Sequence, residues 1–173
     1  MFEFFVPFAH AKNIYEINAD FYKKHGVKVL FIDLDNTLDS YRLYIPSKRA
    51  VDYIKYLTNK GIKPVIISNN RGERVSTYAN HLKVEYLSMA GKPFPKKILQ
   101  QIESRGLQKD EVMLVGDQLI TDVTVAKKAG IRVVLTEKLV KEDQPTTRIN
   151  RLFDRPIRKY LKKHDMLINW RDK

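Results

Sequence analysis

The sequence predicts an α/β fold, a doubly wound, three-layer Rossmann-like arrangement around a parallel sheet. Five short apolar runs, each bounded by Gly, Pro, Asn or Asp, are typical of strands buried on both faces. Helix-like amphipathic segments lie between these runs, and strands that alternate with helices favour parallel pairing. With 173 residues, 43% of them hydrophobic, the chain is long enough for one domain with a packed core.

The five predicted strands are residues 27–32, 63–68, 84–88, 111–115 and 131–135. Four helices are predicted at residues 47–60, 73–82, 95–105 and 121–129. Val51, Ile54 and Leu57 form one apolar stripe in the first of these helices. Gly61, Gly106 and Gly130 follow three of the helices, where a residue with positive φ commonly ends a helix.

The pattern divides the chain into a core of residues 27–136 and two extensions, residues 1–26 and 137–173. The first extension is aromatic at its start and then carries Ile14, Ile17 and Phe21 at helical spacing, so we expect it to pack on the core.

The second extension places Leu152, Ile157, Tyr160 and Leu161 among many basic residues and is predicted to form a basic amphipathic helix. Two interpretations stay open for this helix. It either docks on the core with a solvated basic face, or rests with the aromatic N-terminus on an anionic membrane.

The composition limits the kinds of site and partner. A formal net charge of +12 favours polyanions such as nucleic acid, anionic lipid or phosphorylated substrates. The absence of cysteine excludes disulfides, thiol catalysis and thiolate metal sites, and the four histidines are scattered without ligand spacing.

No segment reaches the roughly 20 apolar residues of a membrane span, and no signal-peptide pattern begins the chain. We therefore expect a cytoplasmic protein, with peripheral contact at the inner face of the membrane as an alternative.

Polar residues follow three of the predicted strands. They form the segments Asp33-Leu-Asp-Asn-Thr37, Ser68-Asn-Asn70 and Gly116-Asp-Gln118, and Lys92 stands just before a predicted helix. The carboxyl ends of parallel strands lie at one edge of a sheet, where ligands bind. Carboxylates grouped at this edge can bind a hard divalent cation, and one of them can attack phosphorus.

These four segments, in this order, resemble the motifs of the haloacid dehalogenase-like (HAD) phosphohydrolases, D-x-D-x-T, a strand-ending Ser or Thr, a Lys, and G-D-x-x-x-x-D. Within that family they are similar to the YqeG-type branch of the class IIIA phosphatases, through Asp-Leu-Asp-Asn-Thr-Leu, Ser-Asn-Asn, Ala-Gly-Lys-Pro and Gly-Asp-Gln-x-x-Thr-Asp. Asp39 departs from the pattern, since an apolar residue often stands there, and this bears on the packing of the following flap.

The resemblance implies that Asp33 is the nucleophile, forming an aspartyl-phosphate, and that Asp35 is the general acid and base. It implies that Mg²⁺ is held by the Asp33 side chain, the backbone carbonyl of Asp35 and the Asp117 side chain. Phosphate oxygens would be bound by Ser68, Lys92 and the backbone near Asn69. Two supporting residues complete the set. Asp122 would orient Lys92 or a metal-bound water, and Thr37 would hold the loop of the first motif in place through a hydroxyl hydrogen bond.

The short intervals between the motifs leave no room for the cap domain that many HAD relatives insert. The expected mouth is open apart from a flap at residues 40–46, which carries Tyr41, Arg42 and Tyr44. Large or surface-bound substrates are therefore plausible for this chain.

The resemblance thus implies an Mg²⁺-dependent phosphomonoester hydrolase. The YqeG-type branch looks like the mitochondrial and plastid phosphatases that convert phosphatidylglycerophosphate to phosphatidylglycerol, and this lipid phosphate is the leading substrate. One alternative is a soluble phosphatase acting on nucleotides, sugar phosphates or phosphoproteins. The other is a basic RNA- or ribosome-binding module, which is disfavoured because the acidic constellation is intact and no RNA-binding motif is recognised.

Overall fold

One parallel sheet forms the centre of the molecule, in a computed structural model that describes residues 2–140 and 145–173. Its six strands lie in the order β1-β6-β5-β2-β3-β4. They are β1 (Ala9–Ala11), β2 (Val29–Asp33), β3 (Lys63–Ile67), β4 (Glu85–Leu87), β5 (Val112–Gly116) and β6 (Arg132–Thr136). After β2 the chain builds the sheet outward to β4, then crosses back so that β5 lies on the other side of β2. The carboxyl ends of β2 and β5 therefore flank the crevice at the switch point, where α/β sheets bind ligands.

The predicted doubly wound parallel sheet is confirmed, but the predicted count of five strands was wrong. The sixth strand, β1, lies in the N-terminal extension and pairs in parallel with β6, with Ala9 opposite Val134 and Ala11 opposite Thr136. A strand of three residues is too short to show a hydrophobic period, so its existence depends on the exposed edge that β6 offers. Of the two predicted extensions, Met1 and residues 141–144 lie outside the described residues.

Helices cover both faces of the sheet, as a doubly wound fold requires. They are α1 (Ala19–Lys24), α2 (Lys48–Asn59), α3 (Glu73–Leu82), α4 (Lys96–Ser104), α5 (Thr124–Ala129) and α6 (Pro145–Lys163). The predicted helix at 121–129 begins later than expected, because Leu119–Val123 forms a π-helical turn before α5. Such turns occur often at functional sites, and this one carries Asp122.

Alternate residues of each central strand enter opposite layers of the core. Leu30 and Ile32 of β2 pack with residues of α1, α2 and α3, whereas Val29 and Phe31 pack with residues of α4, α5 and α6. Because both faces are covered, the strands read in the sequence as continuous apolar runs.

The C-terminal helix α6 docks on the second of these layers. Ile157 is 6% exposed and Leu161 is fully buried, while the Phe2 ring packs edge-on against Tyr160 with centroids 5.2 Å apart. Leu152, predicted as part of the apolar stripe, is instead 66% exposed. Among the described residues, no helix combines the length and hydrophobicity that crossing a bilayer would require.

The flap at residues 40–46 is part of a loop between β2 and α2 that has no helix or strand of its own, so no cap covers the described sheet edge. Ser47 ends the loop and caps α2, because its hydroxyl oxygen accepts a hydrogen bond from the Ala50 N–H at 3.2 Å.

Packing of α6 can be tested with Leu161→Ala, which we expect to lower the free energy of unfolding by about 2–5 kcal/mol because it leaves a cavity in a closed layer. Leu152→Ala, on the exposed face of the same helix, should change it by less than about 0.5 kcal/mol. Urea denaturation measures both. Equal effects of the two substitutions would contradict the observed docking of α6.

Candidate active site

The side chain of Asp33 ends the central strand β2 and is nearly buried. Its Oδ1 accepts a hydrogen bond from Lys92 Nζ at 2.6 Å, and its Oδ2 accepts one from the Thr37 hydroxyl at 3.3 Å. Lys92 Nζ also donates to Asp122 Oδ1 at 2.6 Å. The ammonium of Lys92 therefore connects the end of β2, at Asp33, with Asp122 in the segment before α5.

Three buried carboxylates converge beside Lys92. Asp33, Asp117 and Asp122 each offer an oxygen atom within 4.8 Å of the others. The Oδ1 atom of Asp117 is buried and has no hydrogen-bond partner among the described residues. A buried carboxylate oxygen without a partner is costly, and grouped carboxylate oxygens are the donors that hard divalent cations prefer. The cluster therefore fits the predicted Mg²⁺.

Burial raises the pKa of two of these carboxyl groups. The pKa of Asp33 lies well above its usual range because burial outweighs the attraction of the Lys92 ammonium. For Asp117, burial raises the pKa to about 6, against the opposing charge of Arg151. A bound divalent cation would favour the ionised form of both groups.

Asp35 lies near the cluster, but its carboxylate is directed to different partners. Arg74 Nη1 is 2.7 Å from Asp35 Oδ1, and the Asn70 side-chain amide donates to Asp35 Oδ2. Burial raises the pKa of Asp35, while Arg74 and Asn70 oppose that rise. A carboxyl group balanced in this way is suited to giving and taking a proton.

The polar residues after β3 have separate tasks. Ser68 is buried, and its Oγ accepts a hydrogen bond from the Asn70 N–H at 3.1 Å. Asn69 forms two hydrogen bonds with the Lys92 backbone, from its amide to the carbonyl and from the Lys92 N–H to its Oδ1, both 2.8 Å long. Asn69 thus positions the loop that carries Lys92.

The flap is held by two residues whose contacts the sequence did not reveal. Asp39, the departure from the family pattern, is buried and accepts hydrogen bonds from the Tyr78 hydroxyl at 2.6 Å and the Ser47 N–H at 2.9 Å. Arg74 donates to the carbonyls of Ser40 and Leu43 at 3.1 Å each. Because Arg74 also pairs with Asp35, it links the flap to that carboxylate.

Helix α6 contributes to this edge of the sheet as well. Arg151 pairs with the Asp117 carboxylate and donates to the Asp117 carbonyl at 3.0 Å, and Arg158 donates to the same carbonyl at 2.7 Å. Asp154, 2% exposed, accepts hydrogen bonds from the Leu119 and Ile120 N–H groups at 3.0 Å each. Sequence reasoning assigned these residues to a basic tail, and Asp154, an acidic residue in a basic stretch, was a signal that could have indicated their role.

The structure therefore brings the predicted residues to one edge of the sheet. Asp33, Lys92, Asp117 and Asp122 form the buried centre, and Asp35 lies beside it with Asn70. Thr37 contacts Asp33, and Ser68 and Asn69 lie on the adjoining loop.

Comparison with known proteins agrees with this geometry. Residues 22–136 match the family model of the haloacid dehalogenase-like hydrolases. This chain belongs to that family. It is 32% identical over 161 residues to "Probable phosphatase YqeG" of Bacillus subtilis (strain 168), a match covering 93% of this chain and 94% of that one. The predicted resemblance to the YqeG-type HAD phosphatases, and with it the prediction of an enzyme of the phosphatase class, is confirmed.

A second relative is less similar. It is phosphatidylglycerophosphate phosphatase 1, chloroplastic/mitochondrial, from Arabidopsis thaliana, 25% identical over 174 residues. The match covers 93% of this chain but 49% of that protein.

Solved structures share the fold. A 3-deoxy-D-manno-octulosonate 8-phosphate phosphatase from Moraxella catarrhalis, in complex with magnesium ion, phosphate ion and a KDO molecule, matches with a TM-score of 0.54 at 13% identity, over 84% of this chain and 98% of that one. The enzyme of the same name from Yersinia pestis matches with a TM-score of 0.51 at 17% identity, over 86% and 88% of the two chains.

Gly116 offers a test of the cluster, because a Cβ at this position would overlap the carboxyl group of Asp122. We expect Gly116→Ala to lower phosphatase activity at least about tenfold and to raise the Mg²⁺ concentration needed for half-maximal activity, since Asp122 must move. Assays across a magnesium series measure both quantities.

Gly61→Ala is the control for lost stability. Its φ of +82° strains any L-residue, but its Cβ would meet nothing within 4 Å. A folded Gly116→Ala protein that behaves like the wild type would show that the position of Asp122 is unimportant.

Proposed function

We propose that this chain is an Mg²⁺-dependent phosphomonoester hydrolase that forms an aspartyl-phosphate on Asp33, with phosphatidylglycerophosphate as the leading substrate. The observation that carries the proposal is the Lys92 ammonium, 2.6 Å from both Asp33 and Asp122 beside a cluster of buried carboxylates. A positive charge and a nucleophilic oxygen at the switch point of the sheet are what phosphoryl transfer requires.

Asp33 supplies the nucleophile. A carboxylate oxygen of Asp33 forms the new bond to phosphorus while the bond from phosphorus to the leaving oxygen breaks. The Lys92 ammonium lies next to this carboxylate and lowers the repulsion between it and the phosphate dianion. Thr37 restrains the other carboxylate oxygen through its hydroxyl group.

Asp35 moves the protons. In its protonated form it donates a proton to the leaving alkoxide, and as a carboxylate it then accepts one from the water that attacks the aspartyl-phosphate. That water cleaves the phosphorus–oxygen bond to Asp33 and restores its carboxylate. The raised pKa of Asp35 suits the first role, and the adjacent Arg74 stabilises the ionised form that the second role needs.

The substrate phosphate and the cation have separate ligands. The Ser68 hydroxyl, with Lys92, would bind non-bridging oxygens, while Asn69 holds the loop that carries Lys92 in place. Asp33, Asp117 and the backbone carbonyl of Asp35 would hold Mg²⁺, with Asp122 oriented toward Lys92. When bound, the cation supplies charge neutralisation at the transferring phosphoryl group.

Two observations support a lipid phosphate as substrate. One relative is a phosphatidylglycerophosphate phosphatase, and the described sheet edge carries a short flap in place of a cap, which leaves room for a large substrate. Basic residues Arg155, Lys159, Lys162 and Lys163 are exposed on α6, a surface suited to peripheral contact with an anionic membrane. A soluble monoester is the second candidate, favoured by the fold shared with sugar-phosphate phosphatases.

Asp33→Asn tests the nucleophile. We expect it to lower phosphate release at least about a thousandfold, because an amide oxygen is a poor nucleophile for phosphorus. The assay offers phosphatidylglycerophosphate in anionic vesicles beside a panel of soluble monoesters, with Mg²⁺ or with EDTA. Phosphate release that survives both the substitution and EDTA would contradict the mechanism. Hydrolysis confined to soluble esters would discard the lipid substrate and leave the phosphatase assignment in place.

Asp35→Asn tests the intermediate. The asparagine cannot take a proton from water, so we expect the aspartyl-phosphate to accumulate when the leaving group is good enough to depart unprotonated, as in an aryl phosphate. Mass spectrometry after rapid acid quench should find one added phosphoryl group on the peptide containing Asp33. Absence of this adduct from a variant that still releases the aryl alcohol in a burst would exclude the covalent route.

A further inference from the structure

A small pocket lies between α6 and the segment that follows β6. It has a volume of about 140 Å³ and is lined by Glu137, Lys138, Arg151, Asp154, Arg155 and Arg158. Its four cationic side chains outnumber its two carboxylates. Since one water occupies roughly 30 Å³ of liquid, the pocket has room for a phosphate-sized group.

Both carboxylates of the pocket have partners, and some of these partners are cations of the pocket itself. The two oxygens of Asp154 accept hydrogen bonds from the Leu119 and Ile120 N–H groups. Glu137 pairs with Lys162 at 2.8 Å and with Arg158 at 3.2 Å, and it also accepts a hydrogen bond from His10. Asp154 also lies 3.7 Å from Arg151. The two acids therefore offset two of the four pocket cations, Arg151 and Arg158, and leave a net positive charge.

Arg155 supplies that remaining charge. Its side chain is exposed and, among the described residues, forms no hydrogen bond or ion pair, whereas Arg151 and Arg158 on the same helix are bound to Asp117. An exposed guanidinium at the rim of a cationic pocket presents a planar set of donors suited to two oxygens of one phosphate.

The pocket adjoins the catalytic centre through a shared residue. Arg151 lines the pocket and pairs with the Asp117 carboxylate, which belongs to the cluster with Asp33. Arg151 is therefore shared by the pocket and the Asp117 site, and a substrate whose monoester is at Asp33 would extend past Arg151 to place a second anion in the pocket.

We propose that this pocket binds a second phosphate group of the substrate and that Arg155 is the residue that selects for it. The placement rests on the proposed function at Asp33. The chemistry recognised is a phosphate anion joined by a few bonds to the scissile monoester, either the phosphodiester of a lipid headgroup or the second phosphate of a soluble bisphosphate. Charge complementarity with the pocket disfavours monoesters that carry no second anion.

The first test compares soluble substrates with and without the second phosphate. Glycerophosphoglycerophosphate contains a phosphodiester and a monoester, glycerol 3-phosphate contains the monoester alone, and fructose 1,6-bisphosphate represents soluble bisphosphates. We expect Arg155→Ala to lower the ratio of kcat/KM for glycerophosphoglycerophosphate over glycerol 3-phosphate about tenfold, and Arg155→Glu to lower it further. Lys159→Ala removes an exposed charge one turn along α6, outside the pocket, and should leave the ratio unchanged.

The outcomes separate the sources of the second phosphate. An Arg155 effect confined to glycerophosphoglycerophosphate identifies a lipid-type diester, and one confined to fructose 1,6-bisphosphate identifies a soluble bisphosphate. If Arg155→Ala and Lys159→Ala change the ratio equally, general surface charge explains the preference and the pocket is not a binding site.

The second test does not depend on turnover, so a failure of the proposed phosphatase activity leaves it valid. Calorimetric titration of Asp33→Asn protein with glycerophosphoglycerophosphate should give tighter binding than with glycerol 3-phosphate. Adding Arg155→Ala should remove that difference, whereas adding Lys159→Ala should not. Equal affinities for the two compounds in the Asp33→Asn protein would overturn the proposal.

Discussion

The buried ammonium of Lys92 is the contact on which the rest of the site depends. Three carboxylates lie within 4.8 Å of one another in the interior, an arrangement that mutual repulsion and desolvation would disrupt without nearby cations. Lys92 meets two of them at 2.6 Å, and Arg151 pairs with the third. The loop that carries Lys92 is in turn fixed by Asn69 through two backbone hydrogen bonds. These ion pairs and hydrogen bonds therefore connect β2, the loop after β3, the turn before α5, and α6.

The parallel sheet makes this convergence possible. Strands β2 and β5 lie side by side, with Ile32 opposite Val115. The residues that follow the two strands therefore lie next to each other at the same edge of the sheet. Gly116 then matters because it has no Cβ and the Asp122 carboxyl group occupies that space. The π-helical turn that follows β5 directs Asp122 back toward Lys92, and Asp154 on α6 holds the start of that turn through two N–H groups. The geometry of the acids is therefore set by backbone packing as much as by their own contacts.

The core strands and the residues at their ends could be predicted from the sequence because their signals are local. A run of buried residues followed by Asp33 and Asp35 is visible in ten consecutive letters. Contacts between distant segments leave no such signal. Arg74 lies in an ordinary amphipathic helix, yet it meets Asp35 and the flap, which are more than thirty residues away. Strand β1 has three residues and exists because β6 offers it an edge.

The basic residues around the site, in a chain of formal charge +12, occupy two kinds of environment. Arg74, Lys92 and Arg151 are buried, and each faces a carboxylate at the catalytic edge. Their positive charges are therefore balanced inside the protein and contribute little to the electrostatic field outside it. The exposed face of α6 carries basic residues of the second kind, Arg155, Lys159, Lys162 and Lys163. The same helix thus joins the two, since Arg151 reaches inward to Asp117 one turn before Arg155 faces solvent. A basic helix anchored in this way keeps its exposed charges close to the edge of the sheet that carries Asp117, where their field attracts anions.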